Sequence, residues 1–103
     1  MLDAANKIDE FTRGLDAASF AADAKSVFAV VRALQILGEG AKKIPAPIQR
    51  RYPGIPWRSI AGMRNKLIHK YFNMSLEVVW KTVQDDLPEL KKHLLLVISD
   101  LES

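Results

Sequence analysis

The sequence predicts an all-α fold, a compact bundle of four to five helices. Three observations carry this. Apolar residues recur at spacings of three and four over most of the chain, with no convincing strand-type alternation. Four of the five prolines, Pro45, Pro47, Pro53 and Pro56, fall between Lys43 and Trp57, so one Pro-rich connection divides otherwise helical sequence. The 103 residues fit a single domain, 1–103, in which amphipathic helices bury their stripes only by packing on one another.

Taken in order, Leu2–Arg13 reads as a helix ending near Gly14, and Asp16–Ala22 as one short turn. From Asp23 to Ile44 the stripe is Val27, Val30, Val31, Leu34, Leu37, Ala41 and Ile44, with Arg32, Gln35, Glu39 and Lys42 on other faces. Asp23 is the candidate N-cap and Pro45 ends the helix. Gly38 and Gly40 each cost about 1 kcal/mol in a helix interior, which points to close approach of a neighbour or to a tolerated weak spot. A helix over Trp57–Phe72 follows, with Pro56 at its start. The next has Ser75 as candidate N-cap and the stripe Leu76, Val79, Trp80, Val83, Leu87, Leu90, Leu94, Val97 and Leu101. Pro88 lies inside that stripe. Its missing donor and its ring clash with the preceding turn predict a kink near Gln84–Leu87.

Composition excludes several classes of chemistry. There is no Cys, hence no disulfide framework, thiol nucleophile or Cys-type metal site. The formal charge of +3 permits a polyanionic partner without demanding one. The longest aliphatic run, Leu94–Ile98, is far short of the ~20 residues that span a bilayer, and the first residues do not read as a signal peptide, so the expected location is cytoplasmic. No Gly-rich phosphate loop and no nucleophile-elbow serine is present. Two histidines 24 positions apart are not a metal-ligand pattern, so no metal and no cofactor is expected. His93, beside Lys91 and Lys92, reads as part of a solvated face, as do the adjacent acids Asp85-Asp86 and Asp9-Glu10.

The helix Trp57–Phe72 holds the anomaly. At 100° per residue, Trp57, Ile60, Ala61, Leu67 and Ile68 form its apolar side, Arg64 lies in the middle of that side, and Tyr71 shares its face. A buried guanidinium without a partner is not tolerated. Arg64 therefore meets Glu39 or another acid in a structural ion pair, or it borders a cleft that takes an anion. His69 is about 140° from Arg64 on a straight helix. The two converge if the helix loosens, if the arginine stem reaches round, or if a second copy of the chain supplies one of them. Arg50-Arg51-Tyr52 is a small basic and aromatic cluster that either caps a loop or touches RNA.

Arg64-Asn65-Lys66-Leu67-Ile68-His69-Lys70-Tyr71 fits R-x4-H-x-Y. It is preceded by Tyr52-Pro53-Gly54-Ile55-Pro56-Trp57-Arg58-Ser59-Ile60-Ala61-Gly62-Met63 and by Leu37-Gly38-Glu39, and followed by Asp85-Asp86-Leu87-Pro88-Glu89-Leu90. With these surroundings the chain resembles the HepT-like (DUF86) branch of the HEPN superfamily from about Ile8 to Leu95. The resemblance implies a helical bundle that pairs as a homodimer. It implies the toxin half of a toxin–antitoxin module whose antitoxin is a minimal nucleotidyltransferase (MNT), and a metal-independent ribonuclease acting on RNA. On the matching positions Arg64 and His69 are the implied catalytic pair at the dimer cleft, and Asn65 is the polar residue that follows the arginine. Tyr71 corresponds to the tyrosine that the nucleotidyltransferase modifies with AMP. The first helix is short beside the family's. Ala33 and Gln35 stand where relatives often carry Asn and Glu, which leaves Arg32 and Glu39 as supporting residues from that helix. Lys66, Lys70, Arg50 and Arg51 are the candidate RNA contacts.

These residues suit a cleavage in which the RNA 2′-OH is the nucleophile. A histidine moves protons near neutral pH, and an arginine holds the phosphate through paired donors. One histidine per chain makes two in a two-fold dimer. A second reading is a non-catalytic helical module that docks a nucleotidyltransferase and accepts AMP on Tyr71. A third is a purely structural helical dimer.

Overall fold

A computed structural model describes residues 1–62 and 76–102. Every regular element among them is helical. Helix α1 spans Leu2–Thr12, α2 Ala17–Ala22, α3 Ala24–Lys43 and α4 Ala46–Arg51. Residues 57–62 are helical and are called α5. Helix α6, Leu76–Lys81, runs through a π turn, Thr82–Asp86, into α7, Leu87–Glu102. The expected all-α class holds, with the short α2 and α4 beside the longer helices.

Gly14 ends α1 by taking φ +80, a left-handed conformation in which a Cβ would be strained. The expected turn at Asp16–Ala22 is a capped helix. The Asp16 carboxylate accepts the Ser19 backbone N–H at 2.8 Å, and the Ser19 hydroxyl accepts the Asp16 N–H at 2.9 Å. Asp23 stands at the N-cap of α3 as expected, but its carboxylate accepts the Ser26 hydroxyl at 2.8 Å and caps no backbone N–H.

The α3 stripe is the centre of the core. Val27, Val30, Val31, Leu34, Leu37 and Ala41 are buried, while Ile44 is half-buried at the helix end. Ala4, Ala5 and Ile8 of α1 and Phe20 of α2 are buried with them, as are Val79, Val83, Leu87, Leu90, Leu94 and Val97 of the α6–α7 rod. Leu101, the last member of the expected stripe, is instead 52% exposed. A Cβ on Gly40 would lie 2.7 Å from Met1 Cγ, so at this glycine the close-approach explanation holds. Asp9 of α1 and Lys91 of α7 form an ion pair that ties the first helix to the last.

The kink expected from Pro88 is the π turn. Pro88 has no N–H for the Gln84 carbonyl, and its ring crowds that carbonyl. The wider turn relieves both, and the Leu87 N–H reaches back five residues to the Thr82 carbonyl. It also keeps Val83 and Leu87 on the core side, although the spacings Val79–Val83–Leu87 would drift off one face of a strict α-helix.

The Pro-rich connection is ordered. The Gln49 amide donates to the Ile44 carbonyl at 3.0 Å, satisfying an end carbonyl of α3. The Trp57 indole N–H donates to the Tyr52 carbonyl at 3.1 Å, and Ile55 and Trp57 are buried beside it. This turn fixes where α5 begins.

Candidate functional site

Arg64, Asn65, Lys66, His69, Lys70 and Tyr71 lie outside the described residues. The remaining sequence candidates occupy two places.

The first is the outer face of α3. Arg32 and Glu39 are seven residues apart, about two turns, and so share a face. Arg32 Nη1 lies 3.9 Å from Glu39 Oε1 and donates to Gln35 Oε1 at 3.4 Å. Arg32 is well exposed and Glu39 partly so. The two supporting residues expected from this helix are thus brought together, with Gln35 between them. This face points away from the Leu34–Leu37 side, which is buried and lines a groove between α5 and the α6–α7 rod.

The second is the far end of α4. Arg50 and Arg51 are adjacent but diverge. Arg50 lines an open cavity of about 470 Å³ together with Gln49, Trp57, Arg58 and Ser59. Arg51 stacks over the Tyr52 ring at 5.6 Å and borders a different cavity of about 280 Å³. Tyr52 Oη donates to Asp100 Oδ2 at 2.9 Å, joining this loop to the end of α7. Burial, then the Asp100 carboxylate beside it, pushes the Tyr52 phenol up from its ordinary value.

Arg58 is a candidate that the sequence reading missed. It is eight residues from Arg50, and only the Tyr52–Trp57 turn makes the two residues line one cavity. The available signal was a basic residue directly after a buried tryptophan at a helix start. The pair offers fork-shaped donors suited to successive phosphates of a strand.

His93 corrects the expectation of a solvated face. It is half-buried and lines both the 280 Å³ cavity and a larger groove of about 430 Å³ between α5 and the α6–α7 rod. Asp85 and Asp86 are exposed, as expected for surface acids, but they edge that groove. Among the described residues no helix is long and apolar enough to cross a membrane.

Comparison with known proteins decides the family, because the family model described as ribonuclease HepT-like matches residues 1–97. The chain belongs to the HepT-like family. It is 52% identical over 84 residues to a Thermococcus cleftensis protein named "Probable ribonuclease HepT", covering 82% of this chain and 76% of that one. Two proteins of Methanocaldococcus jannaschii, each named "Putative RNase", are similar as well. One is 43% identical over 92% of this chain and 82% of its own length. The other is 40% identical over 99% of this chain and 84% of its own length. No solved structure matches the chain. The R-x4-H-x-Y segment falls inside the HepT-like match, and so do the α3 face and the Arg50–Arg58 cavity.

Proposed function

We propose that this chain is a metal-independent endoribonuclease, the toxin component of a HEPN/MNT toxin–antitoxin module, with its site at a homodimer cleft. The observation that carries the reading is Arg64-x4-His69-x-Tyr71 inside a chain that matches the HepT-like family almost end to end. Relatives named as ribonucleases support it.

In this reading His69 takes the proton of an RNA 2′-OH, and the 2′ oxygen attacks the adjacent phosphorus. The P–O5′ bond breaks as the new bond forms. The 5′ oxygen leaves with a proton supplied by the partner subunit's His69, giving a 2′,3′-cyclic phosphate and a 5′-hydroxyl. Arg64 binds the phosphate and offsets the charge that grows on its oxygens. Arg50 and Arg58 hold the strand to either side, with Lys66 and Lys70 adding positive charge, while Asn65 and the Arg32–Glu39 pair steady the site.

The test compares cleavage of a labelled RNA by wild type, Arg64→Ala and His69→Ala in the presence of a chelator. Loss of one proton carrier is expected to lower the rate by about 10²–10⁴-fold. Equal rates in all three proteins would refute the assignment.

The position of Tyr71, two residues beyond His69, favours its regulation by AMP from the nucleotidyltransferase partner. The added phosphate would compete for Arg64 and close the site to RNA. Intact-mass analysis with ATP and that partner should show one added AMP on wild type and none on Tyr71→Phe.

A further inference from the structure

The groove between α5 and the α6–α7 rod has a charge character opposite to that of the whole protein. Its floor is apolar, formed by Leu34, Leu37, Ile60, Leu87 and Leu90, which belong to the core. Its rim carries Asp85, Asp86 and Glu89, all exposed. No Lys, Arg or His among the described residues lies within ion-pair distance of these three carboxylates. Two of them sit in the π turn that Pro88 imposes on the rod, a departure from regular helix of the kind often found at functional sites. Three acids with no ion-pair partner among the described residues, beside one apolar slot in a chain of net charge +3, form a local reversal of field.

We propose that this groove is a docking site for a protein partner, which inserts a short segment carrying one bulky apolar side chain flanked by Lys or Arg. The volume of about 430 Å³ accommodates a large side chain together with the backbone on either side of it. The carboxylates supply charge complementarity and orient the segment. RNA is disfavoured here, since its phosphates would meet the acidic rim. A metal ion is disfavoured too, because no three His, Asp or Glu among the described residues converge to hold one. The groove opens on the Leu34–Leu37 side of α3, away from the Arg32–Glu39 face.

The experiment selects from a random dodecapeptide phage library against the full chain and then measures a synthetic peptide of the enriched sequence by fluorescence anisotropy. Enriched sequences should be cationic around an aromatic or branched apolar residue. Their affinity should fall at least about tenfold on the triple variant Asp85→Asn, Asp86→Asn, Glu89→Gln, and again when the peptide's apolar residue becomes Ala. Ser59→Trp, which fills the mouth from the α5 side, should give the same loss without touching the acids. Affinity for a labelled RNA oligonucleotide should not change in the triple variant, whose acids lie outside the Arg50–Arg58 cavity. The proposal is overturned if no sequence is enriched, if the enriched sequences are not cationic, or if both variants bind the peptide as wild type does. It is equally overturned if the triple variant changes the sedimentation mass, which would assign the groove to a second copy. Loss of RNA affinity in the triple variant would overturn it by making the groove part of the RNA cleft. None of these readouts depends on whether the chain cleaves RNA.

Discussion

Removing the ring of Phe20 should uncouple the short α2 from the rod that leads out of the motif segment. Phe20 is fully buried, and its ring centroid lies 5.1 Å from that of Trp80 at an interplanar angle of 35°. Phe20 is the buried residue of α2. Deleting a buried phenyl costs about 3–5 kcal/mol in lost transfer and cavity energy. The tilted aromatic pair places this site toward the upper end, since such pairs contribute about 0.5–1.5 kcal/mol beyond burial. A chain of this size has about 5–15 kcal/mol of stability in total. Phe20→Ala should therefore remain folded but with a greatly reduced margin. Urea unfolding followed by helical circular dichroism, at one fixed protein concentration, should show a midpoint lowered by at least about 1 M with the slope unchanged. The melting temperature should fall by more than about 10 °C. Phe20→Leu, which keeps most of the volume, should lose less than half as much. A loss under about 1 kcal/mol for Phe20→Ala, equal to that of Phe20→Leu, would refute the reasoning, because α2 would then contribute no anchor to α6.

Two further outcomes are expected. If Arg50 and Arg58 each neutralise a phosphate, Arg50→Ala with Arg58→Ala should make log affinity for single-stranded RNA less steep in log salt by about 1.4, from a slope near 0.7 per contact. A titration series in KCl read by anisotropy checks this, and an unchanged slope removes the pair from the interface. Asp16 is held below the usual carboxylate range, first by the Ser19 backbone N–H and then by the Ser19 hydroxyl. The sign follows from the lowered value: the folded state favours the ionised form, so the contribution is present above pH 3.8 and lost as the pH falls through the depressed folded value. Urea midpoints for wild type should thus decline across that acid interval more than those for Asp16→Asn, and parallel declines would count against the cap.

Spacing alone marked Arg64 as an anomaly, while the expected roles of Arg64, His69 and Tyr71 came from the resemblance to the family. Arg64 stands in an apolar stripe where a charge needs a reason, and His69 and Tyr71 follow at motif distance. Arg32 and Glu39 were named only as separate supporting residues of one helix, and it is the structure that brings them within 3.9 Å, seven residues being nearly two helical turns. His93 was misread because its neighbours Lys91 and Lys92 made the local sequence look solvated. Its half-buried position comes from the loop after α4, which packs against α7 from more than thirty residues away in sequence. The same long-range packing makes Arg58 face the cavity of Arg50 while Arg51 turns to Tyr52.

The amino-acid sequence by itself determined the all-α class, the core stripe of α3, the stop at Pro45 and the disturbance at Pro88. Each follows from local rules, since helical periodicity and proline geometry act within one or two turns. Only the tertiary structure decided that the disturbance is a π turn that keeps Val83 and Leu87 inward. It also decided that the acids of that turn rim an apolar groove, and that the Pro-rich connection sorts three arginines into two cavities. Those outcomes depend on which distant surfaces meet, and a sum of local preferences does not specify that.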